Sequence, residues 1–249
     1  MILATLYRHR WSFRPSLAAT VATALLLPLL LALGYWQLQR AAQKLSLRAE
    51  AAARAALPPV RIGAADLPWR GADTPSGRRV ILRGRWEAGR QVLLDNQVLD
   101  GQAGYWVFAA LRVTEGGDAV LVNRGWVSAE SHRDMAPNVR LAAHAIEATG
   151  IAVPPPSPGP LAHQEIDSSL GDGLLRVQRI DLDDLSRRLQ LRLAPWTLRL
   201  DPAAPDGYRR QWPPVGGFTP ERHRAYAVQW FVLAAVLVGL YLKLNLHRT

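Results

Sequence analysis

Two long uncharged apolar runs, one near each end, constrain this chain more than any other feature. The first extends from Leu17 to Leu38, with Ser16 ahead of it, and the second from Ala225 to Leu242. About 18 or more apolar residues are what a helix needs to cross the hydrocarbon core of a bilayer. Tyr35 and Trp36 close the first run, and Tyr226 and Trp230 open the second, which puts amphipathic rings at interfacial depth. Both runs are read as transmembrane helices. A cleaved signal peptide is the rival reading of the first, because Arg8, Arg10 and Arg14 precede it and Ala53-Arg54-Ala55 resembles a cleavage site. That site lies far beyond the run, and the run is longer than the roughly 7–15 residues of a signal h-region, so an uncleaved anchor is expected. Pro28 removes a backbone hydrogen bond within it and is expected to kink it.

Two helices place both termini on one side of the bilayer and everything between them on the other. The expected segments are 1–15, a first helix at 16–38, an extramembrane domain at 39–222, a second helix at 223–242 and a tail at 243–249. Arg8, Arg10 and Arg14 before the first helix are balanced by Arg40, Lys44 and Arg48 after it, so the positive-inside bias leaves orientation open. All 20 acidic residues lie between Glu50 and Glu221, so part of the net charge of +10 belongs to the membrane flanks. There it meets anionic lipid head groups. No dense Lys/Arg block interleaved with aromatics occurs, which argues against a nucleic-acid partner. The absence of cysteine excludes disulfides and thiolate metal sites.

The first helix is expected to continue through 39–57, which is rich in strong helix formers and stops at Pro58-Pro59. A loop with Trp69 and a turn at Asp73–Gly77 follow. Strand-like runs then recur: Arg78–Trp86 and Arg90–Val98, read as a hairpin about Glu87-Ala88-Gly89; Gly104–Val113 and Ala119–Val127, read as a hairpin about TEGGD; then His144–Val153, Leu174–Leu182 and Trp196–Leu200. Pro154–Pro160 reads as a loop. Asp181–Gln190 reads as a short helix, acidic early and basic late, as the helix dipole favours. The fold class expected is two transmembrane α-helices flanking a mainly antiparallel β domain, barrel- or sandwich-like, with minor helix.

No P-loop, nucleophile elbow, His-Glu-x-x-His or dinucleotide glycine pattern is present. Asp181, Asp183 and Asp184 read as a solvated helix start. His132, His144 and His163 have no ligand-like spacing and read as surface or core histidines. At the membrane mouth the pattern is different. On a helix, His223, Ala227, Trp230 and Ala234 share a face, with Tyr226 beside them. Gln37, Arg40 and Lys44 share a face at the end of the first helix, and Gln229 lies deeper, where an unpaired amide calls for a partner helix. One imidazole and two cations could therefore meet at one interface. A neutral imidazole is a common axial ligand of haem iron, and cations suit haem propionates. The alternative is that His223, Arg40 and Lys44 snorkel to the head groups. In LVNRGWV, strand alternation puts Val122, Arg124 and Trp126 on one face and Asn123 and Gly125 on the other. The structural reading is a bulge at Gly125 with Arg124 pairing a buried carboxylate. The functional reading is that Arg124 docks the domain onto a ligand or partner.

LGYWQLQRAAQK (Leu33–Lys44), GQAGYWVFAALRV (Gly101–Val113), LVNRGWV (Leu121–Val127) and HRAYAVQWF (His223–Phe231) together resemble the Surfeit locus protein 1 family of cytochrome c oxidase assembly factors. The chain departs from the family pattern at Ala109-Ala110, where a Thr-Pro-like step is usual and a strand end is expected to change. The resemblance implies a non-enzymatic, two-pass inner-membrane protein with both termini in the cytoplasm and its large domain in the periplasm. The preponderance of Arg over Lys, with no transit-peptide-like extension, points to a bacterial setting. The resemblance further implies haem a as cofactor, with His223 as axial ligand and Tyr226, Trp230, Arg40 and Lys44 near haem or interface. Oxidase subunit I, the haem a synthesis machinery and membrane lipids are the implied partners. Trp36, Gln37, Arg124, Gly125 and Trp126 are assigned interaction or structural roles. A cofactor-free scaffold for nascent subunit I is the competing reading, and a membrane-anchored hydrolase a third that no nucleophile–base pattern supports.

Overall fold

The computed structural model describes residues 11–64, 75–113, 118–130, 135–156, 168–171, 173–212 and 218–248. By compactness the chain forms two units, one of Met1–Glu50 with Pro214–Thr249 and the other of Ala51–Pro213. Trp69, His132, His163 and parts of three expected loops (Asp73-Thr74, Thr114–Gly117 and Ser157–Pro160) lie outside the described residues.

The first unit is built on two helices. α1 (Leu17–Ala56) joins the expected span and its extension in a single helix that continues through Pro28. Ser16 caps it, accepting the Ala19 N–H on its hydroxyl. α3 (Pro220–Asn245) begins with Thr219 as N-cap and Pro220 in the first turn, the arrangement that satisfies or omits orphan N–H groups at a helix start. Both are long and apolar enough to cross a membrane, and most of their large side chains are exposed. Besides His223 and Asn245, the buried positions recur at seven-residue spacing: Gly34 and Ala41 on α1, and Pro220, Ala227 and Ala234 on α3. That is the seam of two helices packed nearly antiparallel, with small residues permitting close approach. A Cβ added to Gly34 would stand 2.7 Å from the Phe231 ring.

Two elements that the sequence reading lacked close the far end of this pair. β1 (Trp11–Phe13) and β10 (Leu246–Arg248) pair antiparallel, with Ser12 opposite His247. Asn245 ties the joint together, accepting the Ser16 N–H on Oδ1 at 2.7 Å and the Arg14 N–H on its backbone carbonyl at 2.8 Å. Thr20 and Tyr241 hydroxyls meet at 3.0 Å just inside it.

The second unit contains β2 (Val60–Ile62), β3 (Arg79–Leu99), β4 (Gln102–Arg112), β5 (Asp118–Ser128), β6 (Ala145–Val153), β7 (Ser168–Ser169), β8 (Leu174–Val177), α2 (Leu182–Leu189) and β9 (Arg192–Leu200). The strand order is β4-β5-β9-β6-β3-β8-β7, with β2 beside β3 and β3 also pairing β4. Most pairings are antiparallel, while β2–β3, β3–β8 and β5–β9 are parallel. The domain is sandwich-like. The hairpin expected about Glu87-Ala88-Gly89 does not form. Arg79–Leu99 is one bent strand whose register shifts between Trp86 and Gln91, with Gly89 at φ 68°. The irregularity at the glycine lets Arg79–Arg85 pair β6 while β4 pairs β3 on both sides of the bend, with a second register shift between Leu94 and Gln97. The tight turn falls at Asp100-Gly101, both at positive φ. The β4–β5 hairpin forms as expected, and β8 is shorter than the run expected at 174–182.

One core gathers Val80, Leu82 and Trp86 with Leu111, Val122, Trp196 and Leu198. A second gathers Val92, Phe108, Leu121 and Trp126 under Leu185 and Leu189 of α2. β4 and β5 lie between apolar groups on both faces and are buried almost without alternation. Ala109 and Ala110 are fully buried in mid-strand opposite Val122 and Leu121. The expected change at a strand end is therefore absent, and the site where small residues replace the family's step is interior.

Candidate functional site

At the start of α3, successive turns bring His223 round to face α1. His223 is 9% exposed, and its Nδ1 lies 2.7 Å from the Gln37 side-chain oxygen. A carboxamide oxygen can only accept, so Nδ1 carries the hydrogen and Nε2 keeps its lone pair. Among the described residues Nε2 has no hydrogen-bond partner. The Phe218 ring stands edge-on to the imidazole at 6.1 Å between centroids and tilted to Tyr226 at 6.3 Å. Arg222 lies over the Phe218 ring at 4.4 Å. Phe218 was not singled out from sequence, although the Thr-Pro-Glu start that follows it marks the helix N-terminus.

Twenty-one positions separate Ser16 from Gln37, about 30 Å along a helix, which is the thickness of a hydrocarbon core. The His223–Gln37 bond and the Asn245–Ser16 bond thus mark the two ends of a membrane-length helix pair. Ala227 and Ala234 are buried on the His223 face as expected, and Trp230 and Tyr226 are half-buried. Gln37, Ala41 and Lys44 form a buried or half-buried stripe on α1. Arg40 departs from the face expected for it: it is exposed, lies over the Trp36 ring at 5.6 Å and donates to Gln43 at 3.3 Å. Arg48, one turn beyond Lys44, pairs Glu221 at 3.5 Å. Gln229 is exposed on α3 and has no partner among the described residues, so the partner helix expected for it is not α1.

Arg124 lies inside the β domain. Val107 pairs Gly125 while Phe108 pairs Asn123, so Arg124 is the extra residue of a bulge. Gly125 has φ 119°, and a Cβ there would stand 2.8 Å from the Arg209 carbonyl oxygen. The bulge also shifts alternation by one residue. Trp126 therefore joins the Leu121 core and Val122 the opposite one, and the face expected to be common to Val122, Arg124 and Trp126 does not exist. Arg124 is 3% exposed. It donates to the Asp206 carbonyl at 2.7 Å, to Gln91 Oε1 at 3.0 Å and to the Val139 carbonyl at 3.5 Å, with the Tyr208 ring 4.8 Å away. The buried carboxylate expected for it is replaced by carbonyls. The Asp206 carboxylate instead accepts from Trp86 Nε1 at 2.9 Å and meets His144 Nε2 at 2.9 Å. Burial lowers the Arg124 pKa, partly offset by Tyr208 and Asp206.

Where histidine ligates haem iron, one imidazole nitrogen offers a free lone pair and the other is usually fixed by a hydrogen bond. His223, with Nδ1 held by Gln37 and the Phe218 ring beside it, has that form. Among the described residues no group of three or more His, Asp or Glu side chains could hold a bare metal ion.

Two helices of membrane-spanning length, one on either side of a sandwich-like β domain in the chain, define a membrane-anchored protein. The SURF1 family model matches residues 24–235, and the chain belongs to that family. It is a family of assembly factors linked to cytochrome c oxidase, not a known class of enzyme. No curated protein matches the chain.

Proposed function

We propose that this protein binds haem a at the mouth of its helix pair and presents it during maturation of subunit I of a haem–copper cytochrome c oxidase. The observation that carries this reading is the His223–Gln37 hydrogen bond. It holds the imidazole in the tautomer whose Nε2 can ligate iron, as an outer-shell partner does in metal sites. When bound, the haem supplies an iron for that nitrogen and a macrocycle for the Phe218 and Tyr226 rings. Lys44, half-buried on the α1 stripe, is the better placed of the two expected cations for a propionate, because Arg40 turns outward onto Trp36. A single imidazole ligand would permit release to an acceptor, consistent with a carrier. The setting we assign is the bacterial inner membrane with the β domain in the periplasm, next to the haem a synthesis machinery.

The test is spectroscopic. The full chain, co-expressed with haem a synthesis and purified in detergent, is expected to carry a Soret band that His223→Ala removes. An unchanged band in that variant would overturn the ligand assignment. The second reading, a cofactor-free scaffold for subunit I, draws on Gln229. An exposed amide about 9 Å beyond His223 along α3 is costly in hydrocarbon and is satisfied by a partner helix. Gln229→Leu weakening co-purification with subunit I, in a protein that never shows a Soret band, would favour the scaffold.

A further inference from the structure

Residues 136–142 have the burial pattern of a strand and no strand partner among the described residues. Pro137, Val139 and Leu141 are buried, whereas Ala136, Asn138, Arg140 and Ala142 are exposed. This is the period of two that a pleated strand imposes. Val139 packs with Leu93 and Tyr105, and Leu141 packs in the core that holds Trp86. Yet none of the N–H groups from Asn138 to Ala142 bonds a backbone carbonyl among the described residues. The Val139 carbonyl accepts from Arg124 and the Ala142 carbonyl meets His144 Nδ1 at 3.0 Å, so it is the unpaired N–H groups of this extended edge that offer a template for another strand.

That edge forms one wall of a cavity of about 760 Å³, and Gly89 and Gln91 of β3, Leu170 of the β7–β8 turn and Leu174 of β8 line it across the gap. The size lies in the roughly 300–1,000 Å³ range of ligand sites. Gln91 is 6% exposed. Its Oε1 is held by Arg124, so its amide N–H groups point away from that bond and have no partner among the described residues. Asn138 and Arg140, on the wall opposite, make no hydrogen bond or ion pair among the described residues either. Amide, guanidinium and main-chain N–H groups all donate, so the complementary ligand is rich in acceptors and negative in charge. The edge itself is long, about 23 Å for seven extended residues, which suits a polypeptide better than a small acid.

We propose that this cavity is a docking groove for an extended acidic segment of a partner protein. The segment adds as a strand along Asn138–Ala142, places a carbonyl on the Gln91 amide and faces a carboxylate side chain to Arg140. All of these residues belong to the β domain, and the proposal is independent of haem binding at His223.

The test uses the full chain in detergent and a fluorescein-labelled peptide of about nine residues that alternates valine with threonine and glutamate. Saturable anisotropy is expected. Methylating alternate backbone nitrogens of the probe should weaken binding by at least about tenfold, as should Arg140→Glu, and replacing the probe's glutamates with lysine should restore binding to Arg140→Glu. Arg140 is exposed, and an unchanged melting temperature for the variant would confirm that its fold is intact. No saturation by about 1 mM, or affinity indifferent to both N-methylation and charge reversal, would overturn the proposal.

Discussion

His223 Nδ1 and Gln37 Oε1, 186 residues apart in sequence, lie 2.7 Å apart across two helices. Removing the oxygen removes what selects the imidazole tautomer. Gln37→Leu is therefore expected to weaken haem a affinity by about 10–100-fold, the usual effect of deleting an outer-shell partner, while His223→Ala abolishes binding. Gln37→Glu keeps an acceptor and should stay close to the parent. Titration with haem a, read at the Soret band, measures all three, and a Gln37→Leu affinity equal to the parent's would separate the tautomer from ligation.

Arg124 satisfies the oxygens of Asp206, Gln91 and Val139 in a buried position. Arg124→Ala strands those acceptors and should destabilise the β domain by roughly 2–4 kcal/mol. Arg124→Lys should recover only part of this, because an ammonium cannot reproduce the guanidinium fork. Chemical unfolding followed by tryptophan fluorescence gives the difference.

Gly125 occupies a backbone conformation that side chains rarely adopt, with the Arg209 carbonyl 2.8 Å from where a Cβ would lie. Gly125→Ala is expected to cost about 1–3 kcal/mol through strain alone. The same unfolding assay applies, and a cost below about 0.5 kcal/mol would mean that the bulge relaxes freely.

The chain has no cysteine, so introduced pairs report geometry without background. Ser12 and His247 are register partners in the β1–β10 ladder, and neighbouring strands bring Cα atoms to about 4.5–5.5 Å, within disulfide reach. Ser12→Cys with His247→Cys should form an intramolecular disulfide in membranes, seen as a mobility shift on non-reducing gels. Only disulfide-linked dimers, or no linkage under oxidant, would contradict the paired termini.

Asp181 caps α2 by accepting the Asp184 N–H at 3.0 Å. That bond, aided by Arg179 and Arg187, holds its carboxyl below the ordinary aspartate value of 3.8. A carboxyl with a depressed folded pKa contributes stability that is fully present above the unfolded value and is lost as pH falls through the folded one. Domain stability should therefore lose the Asp181 contribution only as pH falls below about 3.8, and Asp181→Asn should flatten that part of the profile. Thermal melts at stepped pH, comparing parent and variant, check it.

Much of this was legible in local chemistry. Composition and length mark the two helices, because a bilayer accepts only a long uncharged run. The same holds for α2, whose acidic start and basic end reproduce its cap and dipole. The face carrying His223, Ala227 and Ala234 follows from helical period alone. Period failed where one residue was out of phase. Glu87-Ala88-Gly89 has turn composition but bends a single strand, and Arg124 is an inserted residue that sends Trp126 to the opposite core. The bend at Glu87-Ala88-Gly89 has no local signature that distinguishes it from a hairpin, whereas Gly125 does mark the bulge in the sequence, and only its effect on the alternation that follows is hidden there.

The sequence by itself determined that this is a two-helix chain with a β-rich middle, because hydrophobic length and period are local properties. Tertiary structure alone decided that Gln37 meets His223, that Asn245 fastens Ser16, and that Arg124 meets carbonyls and not a carboxylate. Those pairings join residues far apart in the chain, and which donor finds which acceptor depends on how whole helices and strands register against one another.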